Sequence, residues 1–247
     1  MKIHYDIDKF TSQRATVVTI GTFDGVHMGH AAILRSLTAM AARLDADSVV
    51  VTFEPHPRIA MGRDDGMGLL TTVEERALLL ARYGVEHVVV VHFNEAFRRR
   101  SYDDFVCNTL VAQLGMRGMV VGYDHRFGRN NEGGYEQIKP LSVQYGFEVE
   151  RVEQYQDMGD GVSSTAIRRL ISEGNMRRAV EMLGHPYIVT GVRDMESTVV
   201  QNERKLLPPS GIYLADIRGC SVEVEVQGDR VRFVDGKCGE EIVSLIG

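Results

Sequence analysis

His27 and His30 stand three positions apart at the end of Gly21-Thr22-Phe23-Asp24-Gly25-Val26-His27-Met28-Gly29-His30. Both imidazoles can donate hydrogen bonds to phosphate oxygens, and Gly29 between them lets a flat ring approach the backbone. The β-branched run Thr16-Val17-Val18-Thr19-Ile20 precedes this stretch, and Ala31 to Leu37 follows with apolar residues at helical spacing. The pattern therefore reads strand, glycine-rich turn, helix. A helix N-terminus presents unpaired N–H groups and the positive end of the helix dipole, so phosphate chemistry fits this junction.

Other chemistry-bearing residues also fall at the ends of short apolar runs. Ser48 to Phe53 reads as a strand that ends in Glu54-Pro55-His56-Pro57-Arg58. The two prolines stop strand or helix from continuing, which leaves His56 and Arg58 on a stiff loop at the strand's carboxyl end, where open parallel sheets bind ligands. Val88 to Val91 and Gly118 to Val121 are further strands, and the second runs into Gly122-Tyr123-Asp124-His125-Arg126-Phe127-Gly128-Arg129-Asn130-Asn131-Glu132-Gly133-Gly134, a second glycine-rich loop and candidate binding loop. Asp103 to Leu114 and Tyr135 to Tyr145 read as helices, and Phe147 to Val152 as a fifth strand. Ser163, Ser164 or Thr165 can cap a helix whose apolar residues are Ile167, Leu170 and Ile171. Residues 60–70 read as a mobile loop and candidate lid, and Arg98-Arg99-Arg100 as a solvated helix face.

Helices alternate with apolar strands across residues 16–153, which predicts an α/β fold with a Rossmann-like, doubly wound parallel sheet. Beyond Pro186 the runs become short, partly alternating and separated by Gly, Pro and Asp, as in a small all-β, barrel-like domain. The expected domains are thus 1–186 and 187–247. A net charge of −6 argues against a general nucleic-acid binder. The N-terminal residues show no apolar signal region, and no run reaches membrane-spanning length. Cys107, Cys220 and Cys238 lack any C-x-x-C partner, which favours a reducing cytoplasm and argues against a zinc site, so no metal ligands are assigned.

At His27-Met28-Gly29-His30 the chain has the H-x-G-H form of the nucleotidyltransferase superfamily. The longer string from Gly21 to His30 resembles the adenylyltransferase domain of bacterial bifunctional riboflavin kinase/FAD synthetases. About 135 residues later, Ser163-Ser164-Thr165-Ala166-Ile167-Arg168 resembles that superfamily's second signature, with Ala166 where members often carry Arg. The resemblance covers roughly residues 10–187 and implies adenylyl transfer from ATP to FMN, giving FAD and pyrophosphate, with Mg²⁺ arriving on ATP. It further implies that His27, His30 and Arg168 are catalytic, and that Gly21, Thr22, Phe23, Asp24, Gly29, Ser163, Ser164 and Thr165 bind ATP. Phe53, Pro55, His56 and Pro57 match a flavin-side F-x-P-H-P segment. Asp124 and Arg126 match its G-F-D-F-R-F-G segment, where Tyr123 and His125 replace two aromatics. Phe93 and Phe97 fit either a flavin wall or the core.

Leu207 to Tyr213 is similar to the family's riboflavin kinase domain, yet no G-x-P-T-A-N segment stands between Gly191 and Leu206. Loss of kinase activity is the expectation, with the β domain free to join two copies of the chain. Two other readings fit the same residues: a nucleotidyltransferase with another acceptor, and a flavin- or nucleotide-binding regulator without turnover.

Overall fold

A computed structural model describes residues 1–63, 66–153, 156–157, 160–193, 197–217, 219–234 and 242–247. They form two compact units, the first made of Met1–Phe23, Gly29–Asp65 and Ala77–Tyr155. Its strands are β1 (Lys2–Tyr5), β2 (Thr16–Ile20), β3 (Asp47–Glu54), β4 (His87–His92), β5 (Met116–Gly122) and β6 (Glu148–Val152). They make a six-stranded sheet in the order β1-β4-β3-β2-β5-β6 with every neighbouring pair parallel. From β2 the order runs outward through β3 and β4 on one side and through β5 and β6 on the other. In a doubly wound sheet that reversal opens a crevice at the carboxyl ends of the flanking strands.

Around this sheet run α1 (Met28–Arg43), α2 (Pro57–Ala60), α3 (Val73–Ala81), α4 (Glu95–Arg98), α5 (Tyr102–Asp104) and α6 (Tyr135–Tyr145). The continuous apolar runs became strands buried on both faces: all of β2 is buried, as is β3 up to Phe53. Val18, Val49, Val89, Met119, Leu110 and Ile138 share one core. The expected helix from Asp103 to Leu114 is instead α5 followed by a wider π-helical stretch, Phe105–Val111.

The second unit comprises Asp24–Met28, Gly66–Arg76 and Gln156–Gly247. Its last segment starts with the short hairpin β7 (Gln156–Asp157) and β8 (Asp160–Gly161), then α7 (Ser164–Ser172) and α8 (Met176–Leu183). Strands β9 (Tyr187–Thr190), β10 (Val192–Arg193), β11 (Ser197–Val199), β12 (Gly211–Ile217), β13 (Cys220–Gln227), β14 (Arg230–Phe233) and β15 (Ile242–Leu245) follow. They form a curled antiparallel half-barrel in the order β10-β11-β14-β13-β12-β15-β9.

This unit takes in segments on both sides of residue 187. Ile167, Ile171, Ala179 and Leu183 of α7 and α8 lie in the same core as Tyr187, Val189, Ala215, Val224 and Val243 of the sheet. An amphipathic helix pair needs an apolar partner for its inner face, and here the sheet supplies it. The reading of residues 60–70 as a lid changes, although Asp64 and Asp65 lie outside the described residues. Leu69 N donates to Arg204 O at 2.6 Å and Leu206 N to Leu69 O at 2.9 Å, so the end of that segment is tied down.

Candidate active site

Beyond β2 the chain takes three left-handed backbone conformations within four residues: Phe23 (φ 47°), Gly25 (φ 85°) and Val26 (φ 43°). For a β-branched residue this is a true outlier, costing on the order of 1–3 kcal/mol and persisting only where the surroundings hold it. At Gly25 a Cβ would lie 2.7 Å from Leu70 Cδ1, so a larger residue would displace that side chain as well as strain the backbone. The strained turn delivers His27, 7% exposed, to the position just before α1. Because α1 starts at Met28, earlier than the apolar pattern suggested, Gly29 and His30 fall in its first turn, where backbone N–H groups lack helical partners. The His30 ring tilts against Phe23, with centroids 4.9 Å apart.

Within the second unit Asp24 is fully buried, and its carboxylate organises the turn. Oδ1 accepts from Thr71 N at 2.8 Å and Thr71 Oγ1 at 3.0 Å, and Oδ2 from Leu70 N at 3.1 Å and from the Arg168 guanidinium. Burial works to raise the Asp24 pKa, but the charges of Arg76 and Arg168 and the Leu70 and Thr71 amides outweigh it and hold the carboxyl below its usual range. Arg168 also donates from Nε to Gly68 O at 2.8 Å. Two groups that the resemblance assigned to ATP are therefore partners of each other, and the Asp24 side chain is committed to protein groups. Ser163 accepts from Ala166 N at 3.2 Å as the α7 cap, Ser164 Oγ donates to Asp24 O at 3.0 Å, and Thr165 is exposed. His185 Nε2 reaches Gly25 O at 3.0 Å.

Burial lowers the His27 imidazole to about 4; the Asp24 charge opposes the shift, while His185 and Arg168 add to it. The ring is neutral at pH 7 and acts as a hydrogen-bonding group. An unfolded histidine titrates near 6.5, so between about 6.5 and about 4 the unfolded chain binds more protons and stability falls as pH drops. Wild-type protein should lose on the order of 3 kcal/mol more than His27→Gln when urea titrations at pH 7 and pH 4 are compared. Equal losses would show that the fold does not hold the imidazole neutral.

The first unit contains a cavity of about 380 Å³ lined by Phe53, Phe93, Phe97, Phe105 and Phe127 together with Gly21, Thr22 and Pro57. Its rings meet edge to face or tilted: Phe53 and Phe93 at 5.6 Å, Phe53 and Phe97 at 5.5 Å, Phe97 and Phe105 at 5.2 Å. Phe93 and Phe97 thus serve both alternatives, packing on the core and walling the cavity. Arg63, Arg98, Arg100 and Arg126 also border it, with no Asp or Glu among the lining residues. The arginine run is accordingly only partly a solvated face. Arg99 is 74% exposed, whereas Arg98, paired with Glu95 at 2.7 Å, and Arg100, paired with Asp104 at 2.8 Å, reach the cavity.

Of the residues assigned to the flavin side, Phe53, Pro57 and Arg126 line this cavity. His56 instead caps α2, its Nδ1 accepting from Arg58 N at 3.2 Å, and Pro55 follows a cis peptide bond. Asp124 is exposed and does not line it. His125 does, stacked on Phe127 at 5.6 Å, and burial lowers its imidazole to about 4 against the opposing charge of Asp124. Met61 and Arg63 fall in the segment read as a candidate lid, and Asn130 and Asn131 in the second glycine-rich loop; Phe105 escaped the sequence reading, with only the recurrence of Phe at 93, 97 and 105 as a signal. Among the described residues no group of three or more His, Cys, Asp or Glu could hold a metal ion, and no helix is long and apolar enough to cross a membrane.

The FAD synthetase family model matches residues 9–166. The bifunctional riboflavin kinase/FMN adenylyltransferase of Escherichia coli K12 is 31% identical over 217 residues, 84% of this chain and 69% of that protein. The protein of the same description from Listeria monocytogenes is 32% identical over 214 residues, 82% of this chain and 68% of its own length. In fold, the chain is similar to the crystal structure of a macrolide-efflux protein from Streptococcus pneumoniae, with a TM-score of 0.80 at 23% identity, covering 99% of this chain and 88% of that one. The signatures at Gly21–His30 and Ser163–Arg168, on this doubly wound sheet and its partner unit, are thus those of a known lineage: the chain belongs to the FAD synthetase family.

Proposed function

We propose that the chain transfers the adenylyl group of ATP to FMN, giving FAD and pyrophosphate. The observation that carries this reading is the phenylalanine-walled cavity bordered by arginines and free of lining carboxylates. Its volume suits a small ligand; stacked and edge-on rings favour a planar aromatic system, and guanidinium groups favour a phosphate. Together they describe an acceptor that is flat at one end and anionic at the other, as FMN is.

In the reaction a phosphate oxygen of FMN forms a bond to the α-phosphorus of ATP as the bond from that phosphorus to the bridging oxygen breaks. Pyrophosphate leaves with the electron pair. No enzyme nucleophile is required, only alignment and neutralisation of charge. His27, neutral at pH 7, and His30 donate N–H groups to α- and β-phosphate oxygens. Gly21, Thr22 and Gly29 contribute the backbone around the nucleotide. The Ser164 backbone N–H at the start of α7, Thr165 and the N–H groups of Arg168 not used on Asp24 and Gly68 hold the leaving pyrophosphate. Mg²⁺ would enter with ATP as part of the substrate and would supply further neutralisation of phosphate charge.

Riboflavin phosphorylation is not part of this proposal. The interval from Gly191 to Leu206 lacks a kinase G-x-P-T-A-N loop, and its Lys205 is buried against Glu75 at 2.8 Å. Asp194, Met195 and Glu196 of that interval, and Glu240 and Glu241, the nearest stand-ins for a kinase acid, lie outside the described residues. Incubation with ATP and Mg²⁺, followed by chromatography of the flavins, should turn FMN into FAD and leave riboflavin unchanged. FMN appearing from riboflavin at enzymatic rates would overturn the second half of this reading, and unaltered FMN the first. Free Cys107 and Cys220 suit a reducing compartment, and we place the reaction in the cytoplasm.

A further inference from the structure

The second unit contains a buried ion pair that adenylyl transfer does not use directly. Lys205 and Glu75 have side chains 0% exposed and lie 2.8 Å apart. Lys205 Nζ also donates to Leu70 O at 2.6 Å and Ile188 O at 2.7 Å, so each of its three N–H groups has an acceptor. Glu75 accepts in turn from Thr72 N at 2.9 Å and, through its other oxygen, from Thr190 N at 2.7 Å. From Leu70 the hydrogen bonds continue to the strained turn. Leu70 N and Thr71 N both donate to Asp24, and Gly25 N donates to Thr71 Oγ1 at 3.0 Å.

A buried ion pair is poor value as stabilisation alone, because packed apolar residues serve as well, and its best-attested use is to fix one arrangement among several. Here the arrangement fixed is that of Leu70 and Thr71, whose amides hold the Asp24 carboxylate. The turn depends on such support, since Gly25 and Val26 sit at φ 85° and 43°.

We infer that Lys205 is a positioning residue for adenylyl transfer: by holding the Leu70 carbonyl and Glu75, it keeps Leu70–Thr71 in register on Asp24, and so keeps His27 where it meets the nucleotide. The C-terminal β module then serves as a brace for the nucleotide turn in place of a kinase. The catalytic part of this inference rests on the proposed function above; the structural part does not.

Lys205→Met with Glu75→Gln removes both charges together and retains an acceptor oxygen for one of the two amides, Thr72 N and Thr190 N, that Glu75 meets through separate oxygens. Wild-type and doubly substituted full-length protein, both folded by circular dichroism, are compared by amide hydrogen exchange and by steady-state kinetics. Exchange at Gly25 to His27 should speed up at least tenfold, with β2 and β3 amides unchanged. KM for ATP should rise about tenfold, with FMN affinity, read by flavin fluorescence, within twofold of wild type. Lys205→Arg, which keeps the charge, should recover part of the loss. A folded double variant with unchanged exchange at Gly25 to His27 overturns the inference, as does faster exchange with KM for ATP unchanged. If wild-type protein makes no FAD, the adenylyl-transfer reading fails, and the exchange result alone decides whether Lys205 braces the turn.

Discussion

Arg168→Ala is expected to lower the free energy of unfolding by about 3–5 kcal/mol, because it leaves the fully buried Asp24 carboxylate without its direct cationic partner. Such pairs gain little over an apolar core while intact, yet breaking one strands a charge where water cannot reach it. Arg76 contributes a second positive charge near Asp24, which places the effect toward the lower end of that range. Arg168→Lys should lose less, since an ammonium can still meet the carboxylate but cannot reproduce the fork that also reaches Gly68 O. Urea unfolding at pH 7 measures both variants. A change below 1 kcal/mol for Arg168→Ala would mean that the Leu70 and Thr71 bonds together with the Arg76 charge suffice to hold Asp24.

His30→Ala is expected to reduce kcat for FAD formation by 10² to 10³, or about 3–4 kcal/mol in barrier, the usual cost of removing one donor aimed at developing charge. His30 lies in the first turn of α1, and alanine is the residue helices tolerate best, so the fold should remain. The ring contact with Phe23 is lost, but Phe23 itself stays buried at 2% exposure. Far-UV circular dichroism and melting temperature should be close to wild type. Activity within threefold of wild type would remove His30 from the chemistry.

How much of this was legible in the chain depends on whether the signal was local. Strands β2 to β5 could be read because a strand buried on both faces must be largely apolar, as Val88 to Val91 is. Strand β1 could not, since Lys2-Ile3-His4-Tyr5 lies at the sheet edge and is mostly exposed. The strand–turn–helix setting of His27 and His30 was legible from neighbouring residues. The Asp24–Arg168 pair was not, because its members are 144 residues apart and neither carries a mark of its partner. Likewise Ile167, Leu170 and Ile171 disclosed an apolar helix face but not what covers it, which is a core shared with Tyr187, Val189 and Ala215. In Arg98-Arg99-Arg100 the backbone path past the end of α4 decides: charge composition alone could not tell the two residues beside the cavity from the one in solvent.

The reaction itself can be followed with ATP labelled at its α-phosphorus. After incubation with FMN and Mg²⁺ the label should appear in FAD, with one unlabelled pyrophosphate released for each FAD formed. Label recovered only in AMP, or carried by a product without flavin, would contradict adenylyl transfer to FMN.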